Sequence, residues 1–350
     1  MFITKHDVMR TALSAIYCSG GHQLLAPFTR GLGAVLMLHQ VTPEPARQFD
    51  PNGILRVTPD FLDAAIRQIK SEGYEFVSMD EARLRVLDPA RARPFVAMTL
   101  DDGYRDNRIH AQPVFARHKV PYCVYVPTRF ADGAGDMWWE TFEAVITTGR
   151  PLTVVKNGER RTFACGSTEE KRKAWGALYW WLRGPDEDVT RSRALDLCAQ
   201  AGVDPTAPAR KIMTWDELKQ LAEDPLCTIG AHTVNHYSLA KLDSARCFEE
   251  IASGKQGLED RLGRPVHHLS YPYGSAADCG PREFSLAKEA GFETGVTTYK
   301  GLLFPAHRDH MFGLPRLSLN GEFQDLRMLS VLLGGAPFAL RNGFRQVATA

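Results

Sequence analysis

The sequence has no apolar run that approaches the ~20 residues needed to cross a bilayer, so we expect no transmembrane segment. Its start, "MFITKHDVMRTALSAIYCSGG", carries Asp7 and Ser14 where a secretion signal would have an unbroken apolar core. We therefore expect a cytoplasmic protein in which residues 1–30 form a helical segment, with a short amphipathic helix ending at Gly20-Gly21. Packing of this helix on the flank of the domain is the default interpretation, and peripheral contact with a membrane surface is the alternative.

An excess of charge of one sign is also lacking. The 350 residues carry a net charge of +1, with both signs interspersed, whereas a nucleic-acid binder shows an excess or a stripe of Lys and Arg. The seven cysteines contain no C-x-x-C pair of the kind that binds zinc or exchanges disulfides, which fits a reducing compartment. Nucleic acid is therefore excluded as an expected partner.

Apolar strand-like runs alternate with amphipathic helical patterns along most of the chain. The runs include "AVLMLHQV", "EFVSM", "FVAMTL", "YCVYVP", "CTIGA" and "HLSYPYG". This alternation is typical of β-α-β units around a parallel sheet, and we expect a (β/α) barrel built from residues 31–130 and 211–330. Residues 131–210 interrupt the pattern and predict an inserted α+β subdomain, and residues 331–350 are interpreted as a C-terminal tail.

Local signals support several of these elements. Thr58-Pro59 predicts a helix start, and "TWDE", residues 214–217, has the spacing of a capping box. Within the insertion, Asn157-Gly158 predicts a hairpin, and "STEEKRKAWGALYWWLRG" predicts a helix with Trp175 and Tyr179 along one side. We interpret these aromatic residues as the core of the insertion, with a sugar-binding groove as the alternative.

Two motifs contain residues that could bind a metal or take part in catalysis, and each follows a strand-like run. Asp101 and Asp102 come directly after "FVAMTL", at the end of a barrel strand that faces substrate, although Asp before Gly is also common turn chemistry. His232 and His236 follow "CTIGA", and their spacing of four residues predicts that both imidazoles lie on one helical or helix-start face.

Two histidines and one carboxylate give a divalent cation three protein ligands and leave positions open for water and a substrate oxygen. This is the arrangement of catalytic sites. The cation's charge would also offset the repulsion between the adjacent carboxylates, so that both stay ionised and do different work.

Three segments resemble the signatures of the polysaccharide deacetylases, carbohydrate esterase family 4, which includes the nodulation-type chitooligosaccharide deacetylases. They are "MTLDDGYRDN", "AHTVNHYSL" and "SYPYG", in family order, within a region from about residue 33 to 320. The resemblance implies a distorted (β/α) barrel and hydrolysis of the N-acetyl group of an N-acetylated oligo- or polysaccharide with a divalent metal, most simply Zn²⁺.

Carried over by position, the resemblance assigns the roles within this site. It makes Asp101 the general base, and it makes Asp102, His232 and His236 the metal ligands. It also makes the backbone N–H of Tyr273 an oxyanion donor.

The sequence departs from the family pattern in three places. Ser270 stands where most relatives have an arginine, no tryptophan follows Trp215, and the usual late Leu-x-His is absent. "AVLMLHQV" resembles a branch in which the strand bearing the catalytic histidine is permuted to the start of the chain, which makes His39 the candidate acid. First and last strands are neighbours in a closed barrel, so such a move keeps the side chain in place.

Other residues compete for these roles or complete them. His307 and His310 are the alternatives to His39 as general acid. Arg316, in "GLPRLSLNG", is a candidate for the charge that the missing arginine gives the base, the alternative being an arginine at the surface or in an unrelated ion pair.

Two other functions stay open. Related metal-dependent amidases act on small cyclic ureides and imides, and the unusual third motif leaves room for such a substrate. The chain could also be a catalytically silent carbohydrate-binding protein on the same fold.

Overall fold

The computed structural model describes residues 5–91, 93–184 and 186–347. The β-strands within these ranges are β1 (Gly33–Leu38), β2 (Gln40–Val41), β3 (Arg56–Val57), β4 (Glu75–Val77), β5 (Phe95–Leu100), β6 (Tyr122–Val126), β7 (Leu152–Lys156), β8 (Glu159–Phe163), β9 (Cys227–Ala231), β10 (His268–Ser270), β11 (Thr294–Val296) and β12 (Leu317–Ser318). The α-helices are α1 (Lys5–Cys18), α2 (Gly21–Thr29), α3 (Pro59–Ser71), α4 (Met79–Leu87), α5 (Gln112–His118), α6 (Thr128–Ala131), α7 (Trp138–Thr147), α8 (Thr168–Arg183), α9 (Glu187–Ala201), α10 (Trp215–Ala222), α11 (Ser244–Leu262), α12 (Pro281–Glu289), α13 (Leu326–Leu333) and α14 (Ala336–Arg341).

A curled, parallel sheet forms the centre of the molecule. Its strand order is β11-β10-β9-β6-β5-β1-β12, and β4 pairs with the first half of β5. The first long strand lies beside the last, with Leu36 of β1 opposite Leu317 of β12. Among the described residues, a single parallel bridge from Val296 to Leu314 joins β11 to the segment before β12. The sheet is therefore a distorted barrel, as predicted.

The helix starts follow the capping signals in the sequence. The Thr58 side chain accepts a hydrogen bond from the Phe61 N–H, and Thr214 and Glu217 form a capping box. The apolar runs of the sequence likewise form strands. All six residues of β5 are buried, as expected for a parallel sheet that is covered on both faces.

The segment between β6 and α10 has an apolar core of its own. This core includes Phe142 of α7, Leu178 of α8 and Leu197 of α9. The antiparallel β7–β8 hairpin turns at Asn157 and Gly158, which both have positive φ, at 54° and 78°. A turn of that kind matches the right-handed twist of the two strands. The predicted hairpin is confirmed, and these α and β elements interrupt the barrel where the sequence pattern breaks.

The two ends of the chain meet in a layer of helices. Leu13 of α1 is buried with Met328 and Val331 of α13, so α1 packs on the flank of the domain. The boundary predicted for the C-terminal tail, residue 331, falls inside α13. Helix α13 belongs to this layer because it packs against α1. Residues 1–4 and 348–350 lie outside the described ranges. In those ranges we find no helix that is both long enough and apolar enough to span a membrane.

Candidate active site

The C-terminal ends of several strands carry the predicted site residues. His39 follows β1, Asp101 follows β5 and His232 follows β9. Since the strands are parallel, these ends share one edge of the sheet. A cavity of about 240 Å³ at this edge is lined by His39, Asp101, Asp102, His232, His236 and Tyr273. The structure thus brings together the residues that the two halves of the sequence supplied separately.

Asp102, His232 and His236 form one buried cluster. The Oδ1 atom of Asp102 lies 3.5 Å from Nε2 of His232 and 3.3 Å from Nε2 of His236. The three ligand atoms all lie within 4.8 Å of one another. Ligand atoms about 2.1 Å from a tetrahedral cation stand about 3.4 Å apart, so the spacing suits a single divalent ion.

The protonation of the two imidazoles also fits a cation. The Nδ1 atom of His232 lies 2.6 Å from the Ser270 carbonyl oxygen, which only accepts hydrogen bonds, so Nδ1 carries a proton and Nε2 is the ring nitrogen that faces Asp102. Burial, opposed by Asp102, lowers the pKa of His236 to about 3, so this ring is neutral at physiological pH. Asp102 Oδ1 has no hydrogen-bond partner. Converging lone pairs with no donor between them are what a metal ligand set requires.

The two histidines lie in a loop, which corrects the prediction of a helical face. Between them Thr233 has φ of 65°, and His236 itself has φ of 58°. These left-handed conformations, which cost about 1–3 kcal/mol in strained sites, fold the loop back so that residues four apart converge without a helix. The Thr233 hydroxyl accepts a hydrogen bond of 3.2 Å from the His236 N–H and supports that shape.

Glu250 of α11 holds the same loop from below. Its Oε2 atom accepts hydrogen bonds from the backbone N–H groups of Val234 (3.2 Å) and Asn235 (2.8 Å), and its Oε1 atom accepts from the Asn235 side chain. The carboxylate is 5% exposed. A buried acid that satisfies three donors fixes the backbone that carries both imidazoles.

The aspartate pair occupies a strained turn. Asp102 and Gly103 have φ of 73° and 70°. Glycine adopts this conformation freely, whereas for Asp102 it is a local strain that the surrounding contacts maintain. The turn points the two carboxylates in different directions: Asp102 faces the histidines, and Asp101 faces a different partner.

That partner is Arg316. Its Nη1 and Nη2 atoms donate to the two carboxylate oxygens of Asp101 at 2.8 and 2.7 Å, and its Nε atom donates to the Thr297 carbonyl. Burial by itself would raise the pKa of Asp101, but the charge of Arg316 holds this pKa well below its usual range. The fully buried pair keeps Asp101 ionised next to the ligand cluster.

Ser270 also bonds to this arginine. Its hydroxyl oxygen accepts a hydrogen bond of 3.0 Å from Arg316 Nη2. Arg316 therefore contacts both Asp101 and Ser270, the residue that stands where relatives are expected to carry an arginine.

Tyr273 completes one wall of the cavity. Its backbone has φ of 60°, and the phenolic oxygen accepts a hydrogen bond of 2.8 Å from Trp138 Nε1. Arg183 of α8 lies over the ring at 4.3 Å from its centre. These contacts fix the residue's conformation. Within the described ranges, no group accepts a hydrogen bond from the Tyr273 amide, so this N–H is free for a ligand.

The three candidate acids occupy different environments. His39 lines the cavity, and its carbonyl accepts a hydrogen bond of 2.7 Å from the Asn107 side chain. His307 is buried against Phe304 outside the cavity, and burial lowers its pKa to about 4. His310 is exposed. Position therefore favours His39 over both competitors.

Aromatic side chains of the insertion also line the cavity. Trp138, Trp139, Trp175 and Tyr179 all line the cavity. Trp175 also stacks on Phe142, with ring centres 4.8 Å apart. The interpretation of Trp175 and Tyr179 as core alone is therefore incomplete, because each packs in the insertion and presents a face to the cavity. Aromatic faces of this kind suit the apolar C–H face of a sugar ring.

Sequence reasoning missed Trp138, Trp139 and Glu250. The Trp138-Trp139 pair lies outside the recognised motifs, and its distance from the aspartates in the sequence does not indicate a shared site. Glu250 had a detectable signal, since it lies on the buried side of α11 with Cys247 and Ile251, where a charged residue needs a partner.

The distorted parallel barrel with acids and histidines at the C-terminal ends of its strands agrees with the fold that the sequence motifs predicted. In agreement, the family model described as polysaccharide deacetylase matches residues 162–295 of this chain. The matched stretch contains the second and third motifs, and the aspartate pair lies before it. The predicted resemblance is confirmed, and with it the enzyme class, a hydrolase of the polysaccharide deacetylase type.

Solved structures share the fold. The Streptococcus pyogenes deacetylase PplD, solved in complex with acetate, is 16% identical over 85% of this chain and 97% of its own, with a TM-score of 0.56. IcaB from Ammonifex degensii is 18% identical over 86% and 97%, with a TM-score of 0.53. A de-N-acetylase from Aggregatibacter actinomycetemcomitans is 13% identical over 85% and 99%, with a TM-score of 0.55. A search of curated proteins gives no match.

Proposed function

We propose that the protein removes the acetyl group from an N-acetylated amino sugar of an oligo- or polysaccharide in a metal-dependent hydrolysis. The observation that carries this proposal is the convergence of Asp102, His232 and His236 beside a second aspartate, Asp101, that is kept ionised by Arg316. Asp102 faces the cation site, and Asp101, which Arg316 keeps ionised, is the carboxylate that we propose accepts a proton.

Asp102, His232 and His236 are the residues that would hold the divalent cation, with Zn²⁺ the best fit to two imidazoles and one carboxylate. When bound, such a cation supplies Lewis-acid polarisation of the acetyl carbonyl and of the attacking water.

The chain's own groups then move the protons. Asp101 accepts a proton from the water molecule while the water oxygen attacks the acetyl carbon. The free N–H of Tyr273 donates a hydrogen bond to the oxyanion that develops. His39 donates a proton to the sugar nitrogen as the C–N bond breaks, so that acetate and a free amine leave.

The aromatic wall supports a sugar as the substrate. Trp138, Trp175 and Tyr179 line the same cavity as the aspartates and histidines. Their flat apolar surfaces can stack on a pyranose ring. A small planar ureide needs no such extended wall.

The test compares acetate release from chitin oligomers by the full-length protein after removal of metal and after metal is added back. Activity is expected to be absent without metal and to return on addition of Zn²⁺, Co²⁺ or Mn²⁺. Ring opening of cyclic ureides or imides in place of acetate release would favour the amidase. Binding of oligosaccharide without acetate release under any metal would favour a silent binding protein.

A further inference from the structure

The helices at the two ends of the chain expose large apolar side chains in neighbouring positions. On α2, Leu24 and Phe28, one turn apart, are 76% and 84% exposed. On and just after α14, Leu340 and Phe344 are 65% and 72% exposed. The two helices pack side by side, and Phe28 and Phe344 border the same surface cleft. We call these four side chains the terminal-helix face.

A group of this kind differs from the scattered apolar residues of ordinary surfaces. Single exposed leucines are common, whereas a contiguous apolar patch marks an interaction surface. The apolar side of α1 does not contribute, since Leu13 is buried against α13. The exposed surface therefore lies on α2 and α14 and not on the first helix.

The two chain segments that carry the terminal-helix face have only positively charged side chains. Residues 8–43 and 326–350 contain no aspartate or glutamate. Arg30, Arg341 and Arg345 flank the face, and none of them forms an ion pair within the ranges that the structure describes. Two acids next to helices of the terminal layer have partners of their own, since Glu72 accepts a hydrogen bond from Ser330 and Asp325 pairs with Arg327.

This charge pattern decides between two occupants. A two-fold dimer brings a patch against its own copy, which would place these arginines against the same arginines with no carboxylate to pair them. A bilayer of anionic phospholipid offers apolar chains for the four side chains and negative headgroups for the arginines. We propose that the terminal-helix face docks the protein onto an anionic membrane surface.

The docking geometry leaves the cavity accessible. α2 leads into the N-terminal end of β1, where the Leu32 N–H donates to the Leu303 carbonyl at 2.7 Å. The catalytic residues lie at the opposite, C-terminal ends of the strands. Docking is therefore independent of the proposed function, and its loss need not change turnover of a soluble substrate.

Flotation of the full-length protein with vesicles of phosphatidylglycerol and phosphatidylcholine tests the proposal. Wild type is expected to float with these vesicles, to stay unbound with pure phosphatidylcholine, and to bind less at high salt. The double variant Leu24→Ser/Phe28→Ser should lose at least roughly tenfold in partitioning, since each buried apolar group adds to the membrane affinity. Arg341→Gln/Arg345→Gln should lose roughly fivefold for each arginine.

The double variant Val155→Ser/Leu195→Ser is the matched control, because it removes two exposed apolar side chains from the insertion. It is expected to float like wild type. The proposal is overturned if wild type does not float, or if the control loses as much binding as the α2 variant. It is also overturned if wild type is dimeric by light scattering, without lipid binding, and Leu24→Ser/Phe28→Ser makes it monomeric.

Discussion

Arg316 and Asp101, 215 residues apart in the chain, face each other through two parallel hydrogen bonds of 2.8 and 2.7 Å inside the barrel. The pair fixes the ionisation of the carboxylate that is proposed to act as base. Because both partners are buried, neither can be removed without leaving the other charge unpaired.

Replacement of Arg316 by Met should raise the pKa of Asp101, because burial then acts unopposed. The acidic limb of the pH profile of kcat/KM is expected to move to higher pH, and the free energy of unfolding should fall by about 3–5 kcal/mol. The lowered pKa of Asp101 stabilises the fold above the unfolded-state pKa of about 3.9, and this stability is lost as pH falls through the folded-state value. Rate profiles and urea unfolding at several pH values measure both effects.

A second variant tests whether Arg316 acts on Asp101 through its charge alone or also through its other contacts. Ser270→Arg/Arg316→Ala returns the arginine to the position where relatives are expected to carry it, and it should restore part of the activity lost in Arg316→Ala. If the double variant folds and keeps its metal but recovers no activity, Arg316 does more than supply charge to Asp101.

Asp101→Asn and Asp102→Asn should each lower turnover by about 10²-fold or more, since a general base contributes about 10²–10⁴-fold and the metal ligand is essential to polarisation. Only Asp102→Asn should also reduce metal content, because only Asp102 faces both histidines. Metal analysis by mass spectrometry decides this point. An equal loss of metal in both variants would show that the division of roles is wrong.

His39→Gln should lower kcat on N-acetylated sugars by about 10²–10⁴-fold, the contribution of a general acid. The loss should be much smaller on an aryl acetate, whose phenolate leaves without a proton. His307→Gln is the control, since His307 lies outside the cavity, and its activity should stay near wild type. Equal losses on both substrates in His39→Gln would contradict an acid role.

Glu250→Gln should weaken metal binding by about 10–100-fold, the usual effect of removing support from a ligand loop. The substitution removes the charge that three donors of the 234–235 backbone and side chain share. Glu249→Gln changes the exposed neighbouring acid and should have no effect. Zinc titration against a competing chelator measures the difference, and matching affinities for the two variants would remove Glu250 from the site.

Trp175→Ala should raise KM for chitin oligomers roughly two- to tenfold, since an aromatic contact contributes about 0.5–1.5 kcal/mol. KM for a small aryl acetate should change little. Trp180→Ala, on the same helix but 66% exposed and outside the cavity lining, is the matched control. A similar rise in KM for both substrates would indicate that Trp175 supports the fold and does not contact the sugar.

Several features could be read from local sequence. The parallel sheet followed from buried runs such as β5, the hairpin from Asn157-Gly158, and the capping box from Thr214 and Glu217. The residues at the strand ends were also found, since the position after a parallel strand is fixed by the strand itself. The helical face for His232 and His236 was wrong, because periodicity does not report left-handed residues such as Thr233.

The sequence by itself determined which residues stand at the active edge of the sheet, because strand and turn preferences act over a few neighbouring residues. Only the tertiary structure decided which groups meet: Arg316 pairs with Asp101, Glu250 bonds to the histidine loop, Trp175 joins the cavity lining, and α2 packs beside α14. These contacts join segments far apart in the chain, and they depend on strand order and on which helices pack together. No local pattern records that order, because it is set by burial of the whole molecule.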